Sequence, residues 1–151
     1  MSREAILAAI PHRAPFLLVD EIVEEEPTRI VCRKTFREDE FWYPGHYPNF
    51  PITPGVLLCE AAMQAGAVLL ARQVLAGDSS AAGKVPVATR LGEVRFKQMV
   101  RPGDTIEIET VLKEQLSGAF FLTAKVTVRE GKLAARLDFA CTLTNRLNAE
   151  L

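Results

Sequence analysis

The side chains best suited to chemistry lie close together along one short stretch. Residues 56–71 read Val-Leu-Leu-Cys-Glu-Ala-Ala-Met-Gln-Ala-Gly-Ala-Val-Leu-Leu-Ala and hold one charge, Glu60, and one amide, Gln64. A carboxylate on so oily a segment is expensive to bury ionised. Such a setting favours the proton-bearing form, which a general acid requires. Gln64 lies four residues on, so on a helix it shares a face with Glu60 and can orient it. Upstream, His46 sits within Trp42-Tyr-Pro-Gly-His-Tyr-Pro-Asn-Phe-Pro, a segment stiffened by proline and walled by aromatics. An imidazole changes protonation near neutral pH and can act as a base.

Between them a helix is expected to begin. Thr53 is placed to cap it, and Pro54 suits the first helical position. Gly55 and Val56 would then carry amides with no partner inside the helix. Gly55 lets a ligand approach closely. Such a pair can hold a carbonyl oxygen that gains negative charge. Each element alone has a plain explanation. A first-turn acid often just faces solvent, and a lone loop histidine is commonly a surface residue. Together, base, oxyanion donors and acid are the parts needed to remove a proton beside a carbonyl and expel a leaving group.

The flanking elements are read from pattern. Ser2 to about Ala9 is a short helix capped by Ser2. Phe16–Val23 and Arg29–Phe36 read as strands, and four prolines exclude regular helix from Glu38 to Pro54. Residues 55–75 form one long apolar helix. A loop at 77–84 precedes strands at Pro86–Met99, Ile106–Gln115, Phe120–Arg129 and Lys132–Leu143. Ser117-Gly118 and Glu130-Gly131 turn the last ones into hairpins. A helix apolar on nearly every face must be wrapped by the sheet. The expected class is therefore α+β, an antiparallel sheet around one central helix, as a single domain over 1–151.

The chain of 151 residues has a formal net charge of −1, so bulk charge points to neither nucleic acid nor anionic lipid. Its first residues are too polar for a signal peptide, and no apolar run is expected to span a bilayer. Cys32, Cys59 and Cys141 are odd in number and form no C-x-x-C pair, which argues against disulfides or a metal site and for a reducing, cytoplasmic setting. Arg95, Lys97 and Arg101 gather near the strand after the helix. They can steer an acidic partner, or be ordinary solvated charges.

The stretch Gly45-His-Tyr-Pro-Asn-Phe-Pro-Ile-Thr-Pro-Gly-Val-Leu-Leu-Cys-Glu60-Ala61 resembles the pattern G-H-F-P-x-x-P-x-x-P-G-x-L-x-x-E-A. That pattern belongs to the hot-dog-fold 3-hydroxyacyl-(acyl carrier protein) dehydratases of bacterial fatty-acid synthesis. Pro11-His-Arg-Ala-Pro-Phe-Leu-Leu-Val-Asp20 and Val94-Arg-Phe-Lys-Gln-Met-Val-Arg-Pro-Gly-Asp104 are similar to two further family segments. The resemblance, over residues 5 to 145, implies a hot-dog fold and the loss of water from a 3-hydroxyacyl thioester. His46 would take the C2 proton, Glu60 would help the C3 hydroxyl leave, and the Gly55 amide, with Val56, would polarise the carbonyl. In the family the histidine and the acid of one site come from opposite subunits. A homodimer or trimer of dimers is implied, with no cofactor beyond the phosphopantetheine carrying the substrate. The partner would be an acidic acyl carrier protein meeting Arg95, Lys97 and Arg101. Isomerising relatives carry Asp at the acid position and Cys after the Pro-Gly, so Glu60 and Val56 imply dehydration alone.

Several residues depart from the pattern: Tyr47, Asn49-Phe50, Trp42-Tyr43-Pro44 and Ala14. They flank the site and bear on the shape of the acyl tunnel. His12 is assigned to packing against the core. A hot-dog thioesterase, whose helix acid activates water, and a non-catalytic acyl-binding subunit are the competing readings.

Overall fold

The computed structural model describes residues 2–145; Met1 and residues 146–151, the ends of the expected domain, lie outside them. The elements run α1 (Arg3–Ala9), β1 (Glu21–Glu26), β2 (Arg29–Thr35), α2 (Gly55–Leu69), β3 (Lys84–Phe96), β4 (Thr105–Leu116), β5 (Ala119–Val128) and β6 (Lys132–Asn145). The six strands form one antiparallel sheet in the order β1-β2-β4-β5-β6-β3.

Period-two alternation decides which side of the sheet faces inward. On β5 every second residue, Phe120, Leu122, Ala124, Val126 and Val128, is buried. Burying side chains of this kind contributes about 1.5–3 kcal/mol each for the larger ones. α2 lies across that inner face. From Leu58 to Leu69 every residue is buried except Glu60 and Met63. This is the wrapped-helix, hot-dog arrangement expected from the sequence. Gly66 permits close approach of the sheet: a Cβ there would stand 2.7 Å from the Phe139 ring. Beyond Leu69 the helix widens for one turn, Leu70–Val74, and Leu75 N–H donates to Leu70 O at 2.8 Å. Arg72 and Gln73 there donate to Glu25 at 2.8 and 2.9 Å, tying the helix end to β1.

Five expectations need correction. Gly55–Val74, 20 residues of mean hydropathy 1.4, does reach membrane-spanning length, but this is the core helix held inside the sheet. The Ser2 side chain makes no capping bond; its carbonyl accepts from Ala5 N–H instead. Pro54 precedes the helix, which starts at Gly55, and the Thr53 hydroxyl does not cap it because it shares a 2.7 Å bond with Tyr43. The first strand begins at Glu21 and not at Phe16. The Phe16 carbonyl and Leu18 amide are bonded by the Gln64 side chain, and so are withdrawn from strand pairing.

The first of the two hairpin turns is the two-residue turn expected. Ser117 and Gly118 both take positive φ, at 51° and 80°. The next turn is a residue wider, with Arg129 joining Glu130 and Gly131 in the left-handed region.

Candidate active site

The segment carrying His46 is pinned from beneath. Trp42 and Tyr43 are buried, and Trp42 meets Phe36 and Phe41 edge to face. Lys34, itself buried, reaches Glu40 at 3.2 Å at the base of the segment. Thr53 N–H donates to Val100 O at 2.7 Å, fastening the far end. The His46–Tyr47 peptide bond is cis, and the Tyr47 ring stacks on the imidazole with centroids 4.4 Å apart.

His46 Nδ1 lies 2.9 Å from Ile52 O. A carbonyl can only accept, so Nδ1 carries the proton and donates. Nε2 is left with its lone pair, which is the form a general base needs. His46 shares one cleft with Gly55, Val56, Phe96, Lys97 and Met99. The first bond at the helix start runs from Leu57 N–H to Pro54 O at 2.9 Å, so the Gly55 and Val56 amides precede it. A Cβ on Gly55 would come within 2.8 Å of two Phe96 ring carbons. The space beside Gly55, expected from the sequence to admit a ligand, is therefore filled by the Phe96 ring, and the glycine is needed for that packing.

Glu60 stands elsewhere. Its side chain is 23% exposed and lines a second cavity with Pro11, His12, Met63, Gln64 and Phe139. Gln64 is 1% exposed and fully bonded. Its Oε1 accepts from Leu18 N–H at 2.8 Å, which fixes the amide's orientation. Its Nε2 then donates to Phe16 O at 2.8 Å and to Glu60 Oε1 at 3.0 Å. The hydrogen bond between Gln64 and Glu60 expected from their spacing is therefore present. Cys141 borders this cavity, but burial pushes its thiol up to about 11, so it is no nucleophile near neutral pH.

His12 corrects the sequence reading. It is half-buried, and its Nε2 lies 3.6 Å from Glu60 Oε1 rather than simply packing on the core. Burial holds the imidazole below its ordinary value of 6.5; Glu60 pulls it up, and Arg13 adds to the lowering. A group depressed in this way binds fewer protons folded than unfolded. Its contribution to stability is thus present above pH ~6.5 and is lost as pH falls through the lowered folded value. Melting curves from pH ~7 to ~5 should show a steeper loss for the native chain than for His12→Gln. Equal slopes would remove His12 from that dependence.

Within one chain, then, His46 joins Gly55 and Val56, while Glu60 joins Gln64 and His12. The two groups do not share a cavity. Of the expected basic cluster, only Lys97 lines the His46 cleft. Arg95 stands on β3 opposite Arg136 of β6, which in turn faces Lys125 of β5, so cations extend across three strands. Arg101 lies in the turn before β4, its N–H donating to Asp104 at 2.8 Å. Among the described residues no group of three or more His, Cys, Asp or Glu side chains converges to hold a metal ion.

The family model described as the FabA-like domain matches residues 10–137. The chain is 43% identical over 145 residues to the 3-hydroxyacyl-[acyl-carrier-protein] dehydratase FabZ of Chloroflexus aggregans, covering 94% of this chain and 96% of the relative. It is 37% identical over 134 residues to the FabZ of Clostridium perfringens, covering 89% and 92%. Among solved structures, the dehydratase heterocomplex ApeI:P from Xenorhabdus doucetiae superposes with a TM-score of 0.77 over 96% of this chain and 94% of that one, at 17% identity. The PaaI protein of Escherichia coli superposes at 0.64 over 81% of each chain, also at 17% identity. At that identity the two structures speak for the fold alone.

Proposed function

Because this chain belongs to the FabA-like family, together with the FabZ 3-hydroxyacyl-[acyl-carrier-protein] dehydratases, we propose that His46 and Glu60 are the base and acid of its reaction. The chain is a hydro-lyase of fatty-acid synthesis that converts 3-hydroxyacyl thioesters to trans-2-enoyl thioesters. His46 Nε2 takes the C2 proton, and electron density moves onto the thioester oxygen. The amides of Gly55 and Val56 stabilise that oxygen as it becomes negative. Glu60 gives its proton to the C3 hydroxyl, which leaves as water. Electrons balance without an oxidant or reductant, so the step calls for no redox cofactor. The observation that carries this reading is the Nδ1 bond to Ile52 O, which frees Nε2 beside the helix-start amides.

The working unit is a homodimer. One copy supplies His46 and the amides, and the other supplies Glu60 and Gln64. Separate cavities for the two groups within one chain support this, as does the open edge of β3. Val87, Leu91 and Phe96 on that strand and Val56 on α2 are all exposed apolar side chains. A second copy covering them would bring the two half-sites together. The three thiols are free and buried, which fits a cytoplasmic setting.

The substrate arrives on an acyl carrier protein, whose acidic surface meets the Arg95, Lys97 and Arg101 side of the chain. Arg95→Glu with Arg101→Glu should raise KM about tenfold for the carrier-linked substrate and much less for its coenzyme A counterpart. The difference should shrink as salt is added. Equal effects on both substrates would remove the patch from carrier recognition.

The reaction itself is tested by incubating the protein with a 3-hydroxyacyl or trans-2-enoyl thioester while following both the conjugated enoyl absorbance and free thiol. A change in absorbance without thiol release is expected. Thiol release without enoyl interconversion would make the protein a thioesterase.

A further inference from the structure

Glu60 has two oxygens, and its surroundings treat them differently. Gln64 Nε2 donates to Oε1 at 3.0 Å, and its own orientation is fixed by Leu18 N–H. His12 Nε2 faces the same Oε1 at 3.6 Å, a few tenths of an ångström beyond a hydrogen bond. The other ring nitrogen, Nδ1, is buried without a partner. A buried N–H lacking an acceptor is costlier than a bare lone pair, so the ring proton belongs on Nε2, pointing at Glu60.

A second ring proton would create that orphaned N–H, which disfavours the charged imidazole. Burial and the neighbouring Arg13 act in the same direction, against the opposing pull of Glu60. Arg13 also fixes where the ring stands. Its guanidinium donates to the carbonyls of Leu7, Ile10 and His12 at 3.0, 2.8 and 2.7 Å, clamping the end of α1 onto the segment that carries the imidazole.

We propose that His12 is a positioning residue for Glu60: its Nε2–H points at the Oε1 that the Gln64 amide already bonds, and the two together bias the carboxyl group toward carrying its transferable proton on Oε2. In a protonated carboxyl group the oxygen facing two donors is the carbonyl-like one, and the O–H is the other. The Oε2–H bond breaks as the proton passes to the C3 hydroxyl, the C–O bond breaks to release water, and a carboxylate remains. His12 neither gains nor loses a proton. This inference rests on the acid role proposed above for Glu60.

Two amide substitutions separate a donor's position from mere polarity. Glutamine places its amide nitrogen near Nε2, whereas asparagine places it near Nδ1. His12→Gln should keep kcat within about threefold of native, while His12→Asn should lose roughly ten- to a hundredfold with KM little changed. In the Glu60→Gln background His12→Asn should add no further loss, because its effect passes through the acid. Equal kcat for the two His12 variants, or a loss that multiplies with Glu60→Gln, would overturn the proposal. Failure of the acid role itself would appear separately, as a native rate in Glu60→Gln alone.

Discussion

His46→Ala and Glu60→Gln are each expected to lower the dehydration rate by about 10²–10⁴-fold while leaving the fold intact. Neither side chain is part of the packed core. His46 is partly exposed, and its side-chain hydrogen bond is to the Ile52 carbonyl. Glu60→Gln keeps the shape and the donors around Oε1 but cannot deliver a proton. Rates should fall in kcat more than in KM, because each group acts on charge that develops in the transition state. The double variant should be little worse than either single one, as both groups are needed for the same turnover. Single-turnover rates alongside melting temperatures decide this. Near-native rates in a folded variant would remove the assigned role.

Gln64→Met should damage stability and rate together. The glutamine ties the core helix to the segment before β1 and to Glu60 at the same time. Methionine fills much of the volume but offers no hydrogen bond. The Leu18 amide, left buried without a partner, costs about 1–3 kcal/mol. For a chain of this size each kcal/mol is about 2–4 °C in Tm. Phe16 O lies nearer solvent and adds less. The freed carboxyl group of Glu60 should lower kcat roughly ten- to a hundredfold. Thermal melts with steady-state kinetics check both parts. A fall in Tm with native kcat would restrict Gln64 to a scaffold role.

The sequence made some of these features plain and hid others for physical reasons. Glu60 and Gln64 stood out because polar groups on an oily helix demand an explanation; the two are bonded to each other, but Glu60 is partly exposed and not buried as the oily helix implied. The strands were legible because alternation and the Ser117-Gly118 turn are local signals. Phe16–Asp20 was misread as strand because the side chain that claims its backbone lies 46 residues from Leu18. Thr53 was misread as a cap because Tyr43, ten residues upstream, holds its hydroxyl. The place of His12 beside Glu60 depends on how α1 meets α2, which no local pattern encodes. That His46 and Glu60 sit in different cavities is likewise a property of the folded chain.

In the proposed homodimer one working site draws its base from one copy of the chain and its acid from the other. Mixing inactive His46→Ala subunits with inactive Glu60→Gln subunits tests it directly. In a mixed dimer one site inherits both defects and the other inherits none. Random exchange should then restore about a quarter of native activity. Mixed dimers that demonstrably form and yet stay as inactive as their parents would contradict the claim.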